Sequence, residues 1–157
     1  MAWSRRFTGK DGYATPTAIA ADAGLPSFRV RVGEHPDRTA WDVALTAATA
    51  AHRPDLIVSA GFLEILGATF LSRFPGRGVN THPALLPAFP GCTVHLVDAG
   101  VDTGPVLAQQ AVEVLDGDDE ESLHERIKIV ERRLLVDVLA AVARHGVTWS
   151  GRKAMLG

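Results

Sequence analysis

Apolar and polar positions along the chain follow two periods, and the switches between them outline the elements. Residues 1–15 follow neither: Arg5, Arg6, Gly9, Lys10 and Gly12 are mixed without order, and a loose terminal segment is expected. Thr17 to Ala23 is alanine-rich and stops at Gly24, which predicts a helix with a glycine beyond its last turn. Ser27 to Val32 alternates apolar and basic residues and predicts a half-exposed strand. From Arg38 to His52, Trp41, Leu45 and Ala48 share one face at helical spacing, with Asp37 placed to cap. Leu56 to Phe62 (LIVSAGF) is a continuous apolar run between turn residues, the pattern of a strand covered on both faces. Leu63 to Phe74 predicts a helix broken near Gly67.

The stretch Gly78 to Gly91 (GVNTHPALLPAFPG) behaves differently. A short apolar segment ends in Asn80, Thr81 and His82, and Pro83, Pro87 and Pro90 then exclude helix and interior strand. Cys92 to Ala99 and Pro105 to Leu115 are β-rich runs separated by GVDTG, a hairpin pattern with Asp102 at its tip. Asp119 to His145 is the longest predicted helix, with Leu123, Ile127, Val130, Leu134, Val138 and Val142 on its apolar face and Gly146 after it. One final short strand is expected near the end. The strand, helix, strand order argues an α/β fold with a mixed, mostly parallel sheet flanked by helices, whose sites lie beyond the carboxyl ends of the strands.

Composition narrows the function classes. With 157 residues and 46% hydrophobic content the chain is expected to form a single domain, 1–157, with a real core. A net charge of -2 and a pI near 6.3, without a basic stretch interleaved with aromatics, argue against nucleic acid as partner and for a small molecule. The single cysteine, Cys92, excludes an intramolecular disulfide framework and fits a reducing compartment. No apolar h-region and no run of about 18 apolar residues occurs, so no membrane association and a cytoplasmic location are expected.

The candidate chemistry lies at strand ends. Asn80, His82 and Asp102 each sit where a predicted strand stops, each locked by a neighbouring Pro or Gly. By spacing alone both readings stay open: capping and turn residues on one side, reactive groups on the other. His95, in the middle of a β run, reads as a packed core histidine. His82 and His95 lack a second ligand pair and no HExxH occurs, so no metal is expected. Cys92 lacks a positive neighbour and does not read as a nucleophile.

The string NTHPALLPAFPG, followed by TVHLVDAGVDTGPVLAQQAVEVL and the long helix, resembles the folate-dependent formyltransferase family from about Thr17 onward. The resemblance implies a Rossmann-like formyltransferase fold and transfer of a formyl group from 10-formyltetrahydrofolate, as co-substrate, to the amine of glycinamide ribonucleotide. It implies Asn80, His82 and Asp102 as catalytic amide, imidazole and carboxylate. It also implies Phe62, Leu63, Glu64, Ile65 and Leu66 as the pterin-reading edge, with Val97 and Asp98 closing the other side. Pro83, Glu131 and Lys128 are matched to the nucleotide substrate. Related deformylases and other formyltransferases share part of the motif set, but a second histidine typical of the deformylase is replaced here by Pro83.

Two departures from the family pattern stand out. The N-terminal strand and glycine- and serine-rich phosphate loop are lacking, and Gly9 to Gly12 (GKDG) is a poor substitute; reduced substrate binding and stability are expected. An unpaired sheet edge left there could promote a homodimer. Relatives also place a mobile loop and short helix between the Pro-Gly pair and the strand near Thr93, whereas here Gly91 joins Cys92 directly. A shortened, non-catalytic folate-binding copy is therefore an alternative to the enzyme.

Overall fold

A computed structural model describes residues 16–86 and 88–157. The expectations for residues 1–15, GKDG included, and for Pro87 fall outside the described residues. The chain divides into two compact units, 1–75 and 76–157.

The first unit holds α1 (Pro16–Asp22), a 3-10 turn (Val32–Glu34), α2 (Arg38–Ala51), β1 (Ile57–Ala60) and α3 (Ala68–Arg73). Asp37 caps α2 as expected, its carboxylate accepting from the Ala40 N–H at 2.7 Å. The apolar face of α2 buries Trp41 and Leu45 against Phe70 and Phe74 of α3, with Phe28, Val30, Ile57, Phe62 and Leu66 packed around them. Each such side chain contributes roughly 2 kcal/mol by burial.

Two expectations change here. Ser27 to Arg31 is non-helical chain with only an isolated bridge at Phe28, not a ladder strand, and Val32 already opens the 3-10 turn. The alternation recorded burial of Phe28, Val30 and Val32 over the core, while the Val30 carbonyl accepts from the Trp41 indole at 3.2 Å. The helix expected over Leu63 to Phe74 begins only at Ala68, after Gly67 as N-cap, and leaves Leu63 to Leu66 as non-helical chain.

The second unit is a sheet in the order β2–β3–β4–β6–β5, with one long helix. Its elements are β2 (Gly78–His82), β3 (Gly91–Leu96), β4 (Val106–Ala111), α4 (Glu120–His145), β5 (Val147–Ser150) and β6 (Lys153–Leu156). The β2/β3, β3/β4 and β5/β6 pairs are antiparallel and β4/β6 is parallel. The sheet is mixed as expected, but antiparallel pairing predominates in this unit where a mostly parallel sheet was expected. The physical reason is connection length: the loop from Pro83 to Pro90 is too short for the helical crossover a parallel β2/β3 pair needs. The final strand is a hairpin, β5 and β6, turning at Gly151 with φ +56°.

β3 is buried at all six positions. Cys92 packs with Val112 of the segment after β4 and Ile127 of α4, flanked by Leu123, Val130 and Leu134. α4 opens with a reciprocal cap in which Asp119 accepts from Ser122 N–H and the Ser122 hydroxyl accepts from Asp119 N–H, at 2.8 and 3.0 Å. Arg126 reaches back from the second turn to pair with Asp118 and to donate to the Glu113 carbonyl at 3.0 Å. These contacts hold the Asp118 carboxyl down at about 2, the Arg126 hydrogen bond being the largest cause. Among the described residues no helix is long and apolar enough to cross a membrane.

Candidate active site

The site grows from the pairing of β2 with β3. In that antiparallel register Asn80 faces His95 and His82 faces Thr93, so these four side chains share one face of the ladder. Thr81 and Val94 occupy the other face, toward α4. The β3/β4 register slips between Val94 and His95, a bulge at the strand position where the polar cluster begins.

Asp102 enters from the loop between β3 and β4. Its backbone is left-handed at φ +53°, a conformation Asp tolerates better than most residues. Asp98 shapes that loop, accepting from the Gly100 N–H at 3.0 Å and the Thr103 hydroxyl at 2.8 Å. Gly104 passes so close behind Leu96 that a Cβ there would run into the Leu96 carbonyl oxygen.

The resulting cluster is a connected polar network. Asp102 Oδ2 lies 3.4 Å from His82 Nδ1, and Asp102 Oδ1 lies 3.4 Å from His95 Nε2. The Asn80 side-chain NH₂ donates to Asp102 Oδ1 at 3.3 Å and sits 3.1 Å from His95 Nε2. His95 Nδ1 lies 2.8 Å from the Leu96 carbonyl, an acceptor only, so that nitrogen carries a proton, while Nε2 faces both the Asn80 amide and Asp102 Oδ1. His95 is 3% exposed, whereas the side chains of His82 and Asp102 are 33% and 29% exposed. The network therefore has a buried end at His95 and an accessible end at His82.

Asn80, His82 and Asp102 thus come together, as the sequence suggested. His95 joins them, which the sequence reading did not anticipate. Only the register of the β2/β3 ladder, which the intervening loop sets, puts His95 opposite Asn80.

Thr93 anchors the loop that follows His82. Its hydroxyl donates to the Ala84 carbonyl at 2.7 Å and accepts from Leu86 N–H at 3.2 Å and Gln109 Nε2 at 2.9 Å. Leu85 and Phe89 exchange both backbone hydrogen bonds, closing the loop on itself. Pro83 is exposed beside His82.

The expected residues of α4 are engaged elsewhere in the second unit. Glu131 accepts from the buried Thr81 hydroxyl at 3.0 Å, on the α4 face of the ladder. Lys128 is paired with Glu125 at 2.5 Å. Cys92 is fully buried; burial pushes its thiol up to about 11, with the Glu131 carboxylate adding and the Thr81 hydrogen bond opposing. Val97 donates its N–H to the Gly78 carbonyl at 2.8 Å, and Asp98 is used within its own loop. In the first unit Phe62 stacks on Trp41, Glu64 pairs with Arg38, Leu66 packs on the core, and Leu63 and Ile65 are 90% and 66% exposed. Among the described residues no three His, Cys, Asp or Glu side chains converge as metal ligands would.

Comparison with known proteins assigns the lineage. The formyl transferase family model matches residues 7–93 and 90–139. Phosphoribosylglycinamide formyltransferase of Mycobacterium tuberculosis H37Rv is 62% identical over 165 residues, covering 95% of this chain and 77% of that protein. Among solved structures, glycinamide ribonucleotide transformylase 1 from Symbiobacterium toebii is 36% identical with a TM-score of 0.83, covering 87% of this chain and 72% of that one. A formyltetrahydrofolate deformylase from Pseudomonas syringae pv. tomato shares the fold at a TM-score of 0.81 but only 21% identity. The 165 aligned residues exceed the 157 of this chain, and the family match breaks into two segments meeting at 90–93, where Gly91 joins Cys92. With its sheet, its Asn-x-His and Asp-x-Gly-Pro positions and a family match spanning most of its length, the chain belongs to the formyl transferase family.

Proposed function

We propose that the chain transfers a formyl group from 10-formyltetrahydrofolate to the primary amine of glycinamide ribonucleotide, a step of purine biosynthesis in the reducing cytoplasm. The observation that carries the reading is Asp102, within 3.4 Å of His82 and 3.3 Å of Asn80, with His82 left accessible. When bound, the folate supplies the formyl carbon. Addition of the amine to that carbon turns its carbonyl oxygen into an oxyanion. His82, held at Nδ1 by Asp102, presents Nε2 as a donor to this oxygen when protonated. Asn80 gives a second donor by exchanging its 3.3 Å bond to Asp102 for one to the oxyanion. Asp102 takes the proton released by the attacking amine, directly or through water, and returns it to the folate nitrogen as the C–N bond breaks. No covalent enzyme intermediate is needed.

Phe62 to Leu66, Val97 and Asp98 are proposed folate contacts, and Pro83, Glu131 and Lys128 nucleotide contacts. The exposed Leu63 and Ile65 side chains support the first group: apolar side chains open to solvent can cover an aromatic ring system. Glu131 would have to release Thr81 to meet a ligand.

The test is formyl transfer by the full chain and by His82→Ala and Asp102→Asn, with glycinamide ribonucleotide and a panel of other amines. Loss of about 10²–10³ in kcat in each variant is expected; parent-like turnover in both overturns the assignment, and transfer to water or another amine in preference identifies the deformylase or sister-transferase alternative. The join at Gly91–Cys92 favours a second reading, a folate-binding copy without catalysis. Calorimetric titration with a folate analogue and with glycinamide ribonucleotide separately decides it, since folate binding alone would support that reading.

A further inference from the structure

One face of α2 holds the segment 62–70 almost residue by residue. Arg38 donates to Glu64 Oε2 at 2.6 Å and to the Ile65 carbonyl at 2.7 Å. Trp41 stacks on Phe62, with ring centroids 6.3 Å apart and planes 16° from parallel. One residue on, Asp42 takes three backbone N–H groups: Gly67 at 2.9 Å on Oδ1, Thr69 at 2.9 Å and Phe70 at 3.3 Å on Oδ2. Asp42 is 4% exposed, and a buried carboxylate is stable only when hydrogen-bonded in this way. The six residues of α3 cannot satisfy their own first-turn donors. Gly67 lies so close that a Cβ there would overlap the Asp42 carboxyl group. Between the Phe62 stack on Trp41 and the Gly67 bond to Asp42, Leu63 and Ile65 are held out to solvent.

We propose that Asp42 is the positioning residue for Phe62 to Leu66, fixing the far end of this segment so that its exposed side chains meet the folate ring already in place. Asp42 itself touches no substrate. The proposal rests on the assignment of this segment to folate, and its two halves are tested by separate readouts. A preformed segment spares the ligand the cost of ordering it, so loosening the clamp weakens binding before it slows the chemistry.

The variants are Asp42→Asn, which sets an amide against the α3 donors, and Gly67→Ala, which pushes the carboxylate away from the other side. Leu45→Ala, in the same core but outside the clamp, is the stability control. In the ligand-free chain, hydrogen exchange of the Gly67, Thr69 and Phe70 amides should accelerate about tenfold in both clamp variants relative to Leu45→Ala. In the assay the KM for 10-formyltetrahydrofolate should rise about tenfold with kcat within about twofold, while Leu45→Ala lowers Tm without moving KM. Unchanged exchange overturns the clamp. Accelerated exchange with an unchanged folate KM overturns the link between this segment and folate, and a KM shift equal to that of Leu45→Ala reduces Asp42 to a purely structural role.

Discussion

Asp102 lies at the same distance, 3.4 Å, from His82 and His95, one facing each oxygen of its carboxylate. One histidine is buried and the other accessible, so a single side chain couples a fixed imidazole to one that can meet substrate.

The fixed imidazole should matter for turnover. His95→Phe removes the ring nitrogen that faces Asn80 and leaves the Leu96 carbonyl without its donor. A loss of about 1–3 kcal/mol in stability is expected from the stranded groups. Steady-state kinetics of the surviving folded fraction should show kcat reduced about tenfold with both KM values unchanged. Parent-like kcat would show that Asn80 needs no such partner.

The left-handed backbone at Asp102 separates charge from conformation. Asn tolerates φ near +53°, so Asp102→Asn should unfold within a degree or two of the parent Tm while losing activity. A β-branched residue does not, and Asp102→Val should cost a further 1–2 kcal/mol or about that. Equal Tm values for the two variants, by differential scanning calorimetry, would contradict the strain argument.

Cys92 should be silent in the native protein. Its thiol is fully buried and pushed up to about 11, so Ellman's reagent at pH 8 should label it orders of magnitude more slowly in buffer than in guanidinium. The ordinary value is 9.0, and the raised folded value favours the neutral thiol. Its contribution to stability is therefore complete below pH 9 and is lost as pH rises through about 11. Cys92→Ala should flatten that alkaline loss in urea midpoints; an identical alkaline profile in the variant would refute the cause.

The acid side should be set in part by the start of α4. Asp118 is held at about 2, below its ordinary 3.8, so its contribution is complete above pH 3.8 and fades as pH falls through about 2. Asp118→Asn should lower the urea midpoint at pH 7 and converge with the parent near pH 2. A constant gap between the two across that range would mean the ion pair with Arg126 is not the source.

Much of this was legible in the chain itself. The two long helices followed from apolar spacing, and the cap of the first from Asp37, because a helix advertises its buried face at fixed intervals. Asn80, His82 and Asp102 were legible because Pro83 and Gly104 mark where strands must stop. His95 was not, since its meaning depends on which residue faces it across the ladder, and register is set by a loop rather than by local pattern. The antiparallel pairing of β2 with β3 was hidden for the same reason: an apolar run records burial, not direction. Arg38 and Asp42 were hidden because their partners, Ile65 and Gly67, offer backbone groups, which every residue has.

The polar groups of the candidate site all lie between Asn80 and Asp102, on β2, β3 and the turn that follows. Asn80 and His95 are 15 positions apart, and Asn80 and Asp102 are 22 apart. Such short separations give low contact order, so closing the β2/β3 meander is entropically cheap and fast. The reactive constellation is then an early product of folding rather than its last refinement, and shortening the loop at Gly91 brings its parts nearer along the chain.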